Sequence, residues 1–242
     1  MKKFFLLFLL LAFSYTYADN IKIVTKEIKD SSETLRYEVR AKYPQVEGLK
    51  EKKIQEDINK KIYRAANDNL KSFIKDISEW EIPKDLTDVY SYMEIDFESY
   101  TLDENVFSFA FYIESYYAGA AHPNHWTASM NWDLKNGKII AFKDLFKPSS
   151  KYLEKISAYC IEDLKLQAKI NDYEFFEDML YDGAGPKDSS FVNYNLVQKG
   201  LQITFDPYTV APYVLGTQYV ILPYRAISDM MDEDMLNIIP NF

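Results

Sequence analysis

Between Leu49 and Ile77 apolar residues recur every three or four positions (Leu49, Ile54, Ile58, Ile62, Ala65, Ala66, Leu70, Phe73, Ile74, Ile77), with Lys, Glu, Asp and Asn between them. That spacing lays one apolar stripe along a helix, so it predicts a long amphipathic helix over about residues 48–78, packed on a sheet. Two short β-branched and aromatic runs precede it, Ile21 to Ile28 and Leu35 to Tyr43, and the polar stretch between them makes them a hairpin. Pro83 closes this region.

The period then drops to two. Met93, Ile95 and Phe97 alternate with Glu94, Asp96 and Glu98, the mark of a half-buried strand with an acidic outer face. After a turn at Asp103-Glu104-Asn105, Phe107, Phe109, Phe111 and Ile113 share one face of a second strand. Trp126, Ala128, Met130, Trp132 and Leu134 share one face of a third, and Asn136-Gly137 signals a tight hairpin turn behind it. The three read as an antiparallel meander. A second helix follows Pro148-Ser149-Ser150, with Leu153, Ile156, Cys160 and Leu164 on the stripe that packs on the sheet. Residues 172–190 read as an acidic surface loop, followed by strands at Val192–Leu196, Leu201–Phe205 and Tyr219–Leu222 and a helix from Tyr224 to Met231. The fold class is α+β. Its expected divisions are residues 1–18, a strand-and-helix module over 19–85, and a larger module over 86–242, the last two packed as one unit.

The amino terminus changes the picture of where the chain works. Lys2 and Lys3 precede an apolar run from Phe4 to Phe13, and Thr16-Tyr17-Ala18 supplies small residues at a cleavage site, the pattern of a signal peptide. The run is about half of the roughly 20 residues a membrane span needs. A periplasmic or secreted protein beginning near Asp19, with no stable membrane anchor after cleavage, is the expected product. Cys160 is the sole cysteine, so there is no internal disulfide, and on its helical stripe it reads as a small buried hydrophobe. The 28 basic residues stand against 37 acidic ones, for a formal net charge of −9. Such a surface disfavours nucleic acid and attracts cationic proteins.

Candidate chemistry gathers in YYAGAAHPNHW, Tyr116 to Trp126, which holds both histidines of the chain. His122 and His125 have helical spacing, yet Gly119, Pro123 and Asn124 oppose a helix. The loop also lacks the carboxylate and third ligand that catalytic zinc requires. No metal or cofactor is expected. Ser115 and Ser129 flank the loop outside any nucleophile elbow, and no catalytic residue is assigned. Glu94, Asp96 and Glu98 read as a solvated strand face. In the loop, Gly119 permits a backbone shape closed to other residues, Pro123 stiffens it, and the His122 imidazole can tie loop carbonyls together. His125, at the strand entrance, is expected to be the exposed one.

AGAAHPNHWTASMNWDLKNGKIIAFKDLF resembles the signature of a family of unknown function in which a GGAHxN-like loop leads into a strand and a short helix ending DLF. FDPYTVAPYVLGTQYVILPY is similar to that family's second signature, VAPYxxG followed by a strand. The family occurs in the extracellular half of RsiV-type anti-sigma factors, which binds lysozyme. The region before it looks like the companion module also attached to a peptidoglycan deacetylase. The resemblance implies an α+β binding domain of the cell envelope without catalysis, recognising a lysozyme-like cationic protein or peptidoglycan fragments. A cell-wall hydrolase using His122 or the surface carboxylates is the alternative, as is a structural envelope protein acting through a partner subunit. The matching positions are Gly119, Ala121, His122 and Asn124 in the first loop, and Tyr208, Val210, Ala211, Pro212, Tyr213 and Gly216 in the second. Ala120 stands where the family has its second glycine. Of these, Gly119, His122, Asn124, Tyr208, Pro212, Tyr213 and Gly216 form the expected binding surface, on the expectation that the two loops lie together. The second loop spends aromatics and prolines, so it is either packed down or built to bind.

Overall fold

The computed structural model describes residues 21–82, 86 and 88–239. The leader and Pro83 lie outside these residues. The amphipathic stripe forms helix α1, Lys52–Glu79, which buries Ile58, Ile62, Ala66, Leu70, Phe73 and Ile77. It connects strand β2 (Tyr37–Glu47) to β3 (Ser91–Leu102), and those two strands run parallel. A parallel pair needs a long crossover, which the helix supplies. Strand β1 (Lys22–Ser32) makes the expected antiparallel hairpin with β2. On the other side β3, β4 (Val106–Tyr116), β5 (Asn124–Asp133) and the short β6 (Lys138–Ile139) form the antiparallel meander. All six strands make one sheet in chain order.

Between α1 and this sheet lies one core. Tyr37, Val39, Met93, Ile95, Phe107, Phe109, Phe111, Ile113 and Trp132 meet the helix stripe there. Full burial of each such side chain contributes about 1.5–3 kcal/mol. Asn59 of α1 accepts from Val46 N–H (2.8 Å) and donates to Val46 O (2.9 Å), fixing the helix against the end of β2.

A second core belongs to helix α2 (Tyr152–Ile170) and a three-stranded antiparallel sheet of β7 (Tyr194–Val197), β8 (Gly200–Phe205) and β9 (Gln218–Leu222). The α2 stripe packs on this sheet rather than on the meander: Ile156, Cys160 and Leu164 are buried in the second core. The acidic stretch 172–190 also departs from a plain surface loop. It contains helix α3 (Glu177–Gly183), which buries Leu180. The expected terminal helix is short, α4 at Tyr224–Ile227, and α5 (Glu233–Ile238) follows it. Among the described residues no helix is long and apolar enough to cross a membrane.

The second sheet covers part of the polar face of the first. Ser108 donates to Asn131 Oδ1 (2.7 Å), and Asn131 donates to Tyr194 O (2.8 Å). Asn195 donates to Ser108 Oγ (3.1 Å) and Phe109 O (2.9 Å) and accepts from Ser129 Oγ (2.9 Å). Ser108, Asn131 and Asn195 are almost wholly inaccessible to solvent, so their mutual hydrogen bonds are what makes their burial tolerable. The rest of the polar face stays open, and the candidate site lies there.

Candidate functional site

The loop between β4 and β5 is anchored at its start and open at its tip. Ala118 is buried, with its N–H bonded to Ser91 Oγ (2.9 Å) and its carbonyl to Trp80 Nε1 (3.1 Å). Gly119 then turns at φ +95°, a conformation that favours glycine. His122 is exposed, as is His125. The His122 Nδ1–H donates to Pro123 O at 2.8 Å, so the imidazole does hold a loop carbonyl, but from the surface.

The second loop, residues 206–217, reaches the same carbonyl. Tyr213 OH donates to Pro123 O at 3.0 Å. The Tyr213 ring lies 4.3 Å from that of His122, 5.5 Å from that of Tyr208 and 6.0 Å from that of His125, centroid to centroid. Val210 and Ala211 are buried and pin the loop from below, while Tyr208 is 58% and Val214 86% exposed. Tyr208 takes φ +68°, held by its N–H to Ala211 O (3.0 Å). Pro212 leads into a single 3-10 turn, Tyr213–Leu215, which Gly216 ends at φ +65°. Part of the second loop is therefore packed down and part presented. Gly119, His122, Asn124, Tyr208, Pro212, Tyr213 and Gly216 fall in these two adjoining loops, with Asn124 at the first position of β5.

Beside the clasped loops an open groove of about 510 Å³ runs over the polar face of the sheet. Its lining includes Glu94, Asp96, Tyr112, Glu114 and His125 from the strands, and Pro207, Tyr213, Val214 and Gly216 from the second loop. Glu114 and His125 are opposite one another in the β4–β5 ladder, and Glu114 Oε2 lies 3.4 Å from His125 Nδ1. Glu114 also accepts from Tyr92 OH, and that bond, with burial, pushes the Tyr92 phenol up to about 12. Burial works to raise the Asp96 carboxyl, but the Lys42 ammonium at 2.8 Å and the Phe97 N–H outweigh it and hold it below the ordinary range. The groove is thus floored by carboxyl groups and rimmed by aromatic rings.

Behind the rim sits Asp206. Its carboxylate accepts from Thr127 N–H (3.0 Å) and Asn193 Nδ2 (3.1 Å), while the other oxygen is buried without a partner among the described residues. Desolvation raises its pKa despite these bonds. Asp206 ties the start of the second loop to β5.

Among the described residues no group of three or more His, Cys, Asp or Glu could hold a metal ion. The Ser129 hydroxyl is committed to Asn195, Ser115 is buried, and burial pushes the Cys160 thiol far up. The arrangement presents charge and aromatic surface. Tyr92, Tyr112, Glu114 and Val214 were not singled out by the sequence reading. The signal for Tyr112 and Glu114 is the alternation with Phe111 and Ile113 on β4, the same period that placed Glu94 and Asp96 outward.

With fold and groove in view, the comparisons define the class: an α+β chain built of two modules. The chain carries both. Residues 28–125 match the family model "Deacetylase PdaC", and residues 143–225 match "Protein of unknown function (DUF3298)". Gly119 to Asn124 fall in the first match and the second loop in the second, so the groove rim is made where the two modules meet. The chain is similar to the anti-sigma-V factor RsiV of Bacillus subtilis (strain 168), 28% identical over 86% of this chain and 69% of the relative. It is also similar to the peptidoglycan-N-acetylmuramic acid deacetylase PdaC of the same organism, 26% identical over 50% of this chain. There it spans only 25% of the relative's length. Crystal structures of DUF3298 family proteins from Bacteroides fragilis and Pseudomonas aeruginosa share the fold. Their TM-scores are 0.67 and 0.64 at 15% and 12% identity, with coverage of 92% and 89% of this chain and 98% and 95% of theirs.

Proposed function

We propose that the chain is an exported binding module of the cell envelope that recognises a cationic, lysozyme-like protein through the acidic groove and its two-loop rim. Gly119, His122, Asn124, Tyr208, Pro212, Tyr213 and Gly216 shape that rim. One observation carries the reading: Glu94, Asp96 and Glu114 line a groove beside the exposed Tyr208 and Val214. Exposed aromatic and aliphatic side chains rimmed by charge mark a recognition surface, and clustered carboxylates steer a cationic partner. An envelope setting is supported by the two relatives, one of which is a peptidoglycan deacetylase. The tyrosine rings also suit stacking on a sugar ring, which keeps peptidoglycan fragments as a second ligand class. The carboxylates count against that class, because the peptide stems of peptidoglycan are themselves acidic.

Calorimetric titration separates the two. A cationic lysozyme is expected to bind at low salt and to weaken steeply as salt rises toward a Debye length of about 8 Å. Replacing Glu94 and Glu114 together by Gln is expected to flatten that salt dependence. Soluble muropeptide binding with little salt dependence would move the assignment to the glycan. Heat from neither ligand at low salt removes the proposal.

A further inference from the structure

Among the described residues the edges of β5, β7 and β9 are closed by side chains. On β5, Thr127 N–H is held by Asp206 and Ser129 N–H by Asn193. The edge of β7 is turned to Ser108, Thr101 and Asn131 of the first sheet. The Tyr219 and Ile221 carbonyls of β9 accept from Gln167 and Tyr159 of α2. Closing an edge in this way keeps it from pairing with another chain. Strand β1 is different. It pairs with β2 over 11 residues in unbroken register, so it has no bulge, and it contains no proline. Among the described residues the one side chain bonded to its outer or inner backbone besides the ladder is its own Asp30, to Ser31 N–H. Helix α1 packs over β2 and β3, which leaves β1 at the margin with its edge accessible.

The order of charges along β1 states what fits there. Laid antiparallel against a second copy about a two-fold axis through Ile28, Lys26 faces Asp30 and Glu27 faces Lys29, each pair occurring twice. Thr25 then faces Ser31, and Ile28 faces itself. Directly opposed side chains share a face and interact, favourably for opposite charges and unfavourably for like ones. Sliding the partner by one or two residues in either direction sets Glu27 against Glu27 or Asp30, or Lys29 against Lys26 or itself. Glu27 already holds Arg40 and Lys29 within one copy. Lys26 has no acidic partner of its own among the described residues, and Asp30 accepts only from Tyr37 OH and Ser31 N–H.

We propose that β1 is a homodimerisation edge: two copies of the chain join β1 to β1 in the register centred on Ile28, making one continuous sheet. The groove on the face of β3 to β5 stays open in this arrangement, so the dimer is independent of the binding role.

Sedimentation equilibrium on the full chain tests it. A concentration-dependent dimer is expected, weakened roughly tenfold by Lys26→Glu or by Asp30→Lys and restored by the two together. Circular dichroism of each variant checks the fold. Register is read independently: under mild oxidation Ile28→Cys is expected to give a disulfide-linked dimer, since opposed residues of an antiparallel pair lie within disulfide reach, and buried Cys160 does not compete. Val24→Cys, four residues along β1 and facing Ser32 rather than itself in that register, is expected to link poorly. A chain that stays monomeric up to roughly millimolar concentration overturns the proposal. So does a dimer indifferent to both charge changes, or one in which Ile28→Cys fails to link.

Discussion

At the scale of single residues, Asp206 carries the clearest consequence. Its carboxyl is half out of water, bonded on one oxygen and unpartnered on the other, and its pKa is raised. A raised carboxyl pKa means that the folded chain binds the proton more tightly than the unfolded one. This contribution is therefore fully present below the unfolded value of about 3.9 and is lost as pH rises through the folded value. Asp206→Asn keeps an oxygen for Thr127 N–H and removes the charge. Its stability is expected to fall less, or rise more, with pH across that window than that of the wild type, as read by urea unfolding at a series of pH values. Equal slopes for both proteins would show that Asp206 is solvated.

The elements show how the rim is held. Gly183 ends α3 against the second loop, where a Cβ would stand 2.0 Å from Thr209 O. Gly216 meets nothing within 4 Å but takes φ +65°. The two glycines should therefore respond differently to alanine. Gly216→Ala is expected to cost about 1–3 kcal/mol, because φ +65° with ψ −162° is a region nearly closed to residues with a Cβ, and to weaken ligand binding through the Tyr213 turn. Gly183→Ala forces backbone apart and is expected to cost more, on the order of 2–4 kcal/mol. Thermal denaturation ranks them.

Elements were also what the sequence disclosed best. The stripe from Ile58 to Ile77 and the alternation from Phe107 to Ile113 depend on local spacing alone, so α1, β3, β4 and β5 were legible. The parallel join of β2 to β3 was not, because strand direction is decided by how α1 crosses the sheet. Nor was the burial of Thr127 and Asn131, polar residues that face a second sheet some 60 or more positions away, as the 63-residue separation of Asn131 and Tyr194 shows. The site divides likewise. The two loops carry Gly, Pro and aromatic residues that stand out in a sequence, whereas Tyr112 and Glu114 enter the groove only through their register with His125 and Thr127.

Over the whole molecule, the two cores are joined by a polar seam. Asn195 is wholly buried and serves Ser108, Ser129 and Phe109 O at once. Asn195→Ala leaves those groups without it, and each orphaned buried polar group costs about 1–3 kcal/mol. Urea unfolding should show a loss on the order of 2–4 kcal/mol, and a variant as stable as the wild type would mean that the seam is wet. This seam sets the second loop beside the first, and with it the rim beside the carboxylate floor.

Recognition at that rim is most directly tested by amide hydrogen exchange of the full chain with and without a saturating cationic lysozyme. Added protection is expected in residues 112–127 and 206–217, with α2 and β1 unchanged. Protection confined to other surfaces, with both loops exchanging as before, would contradict the account.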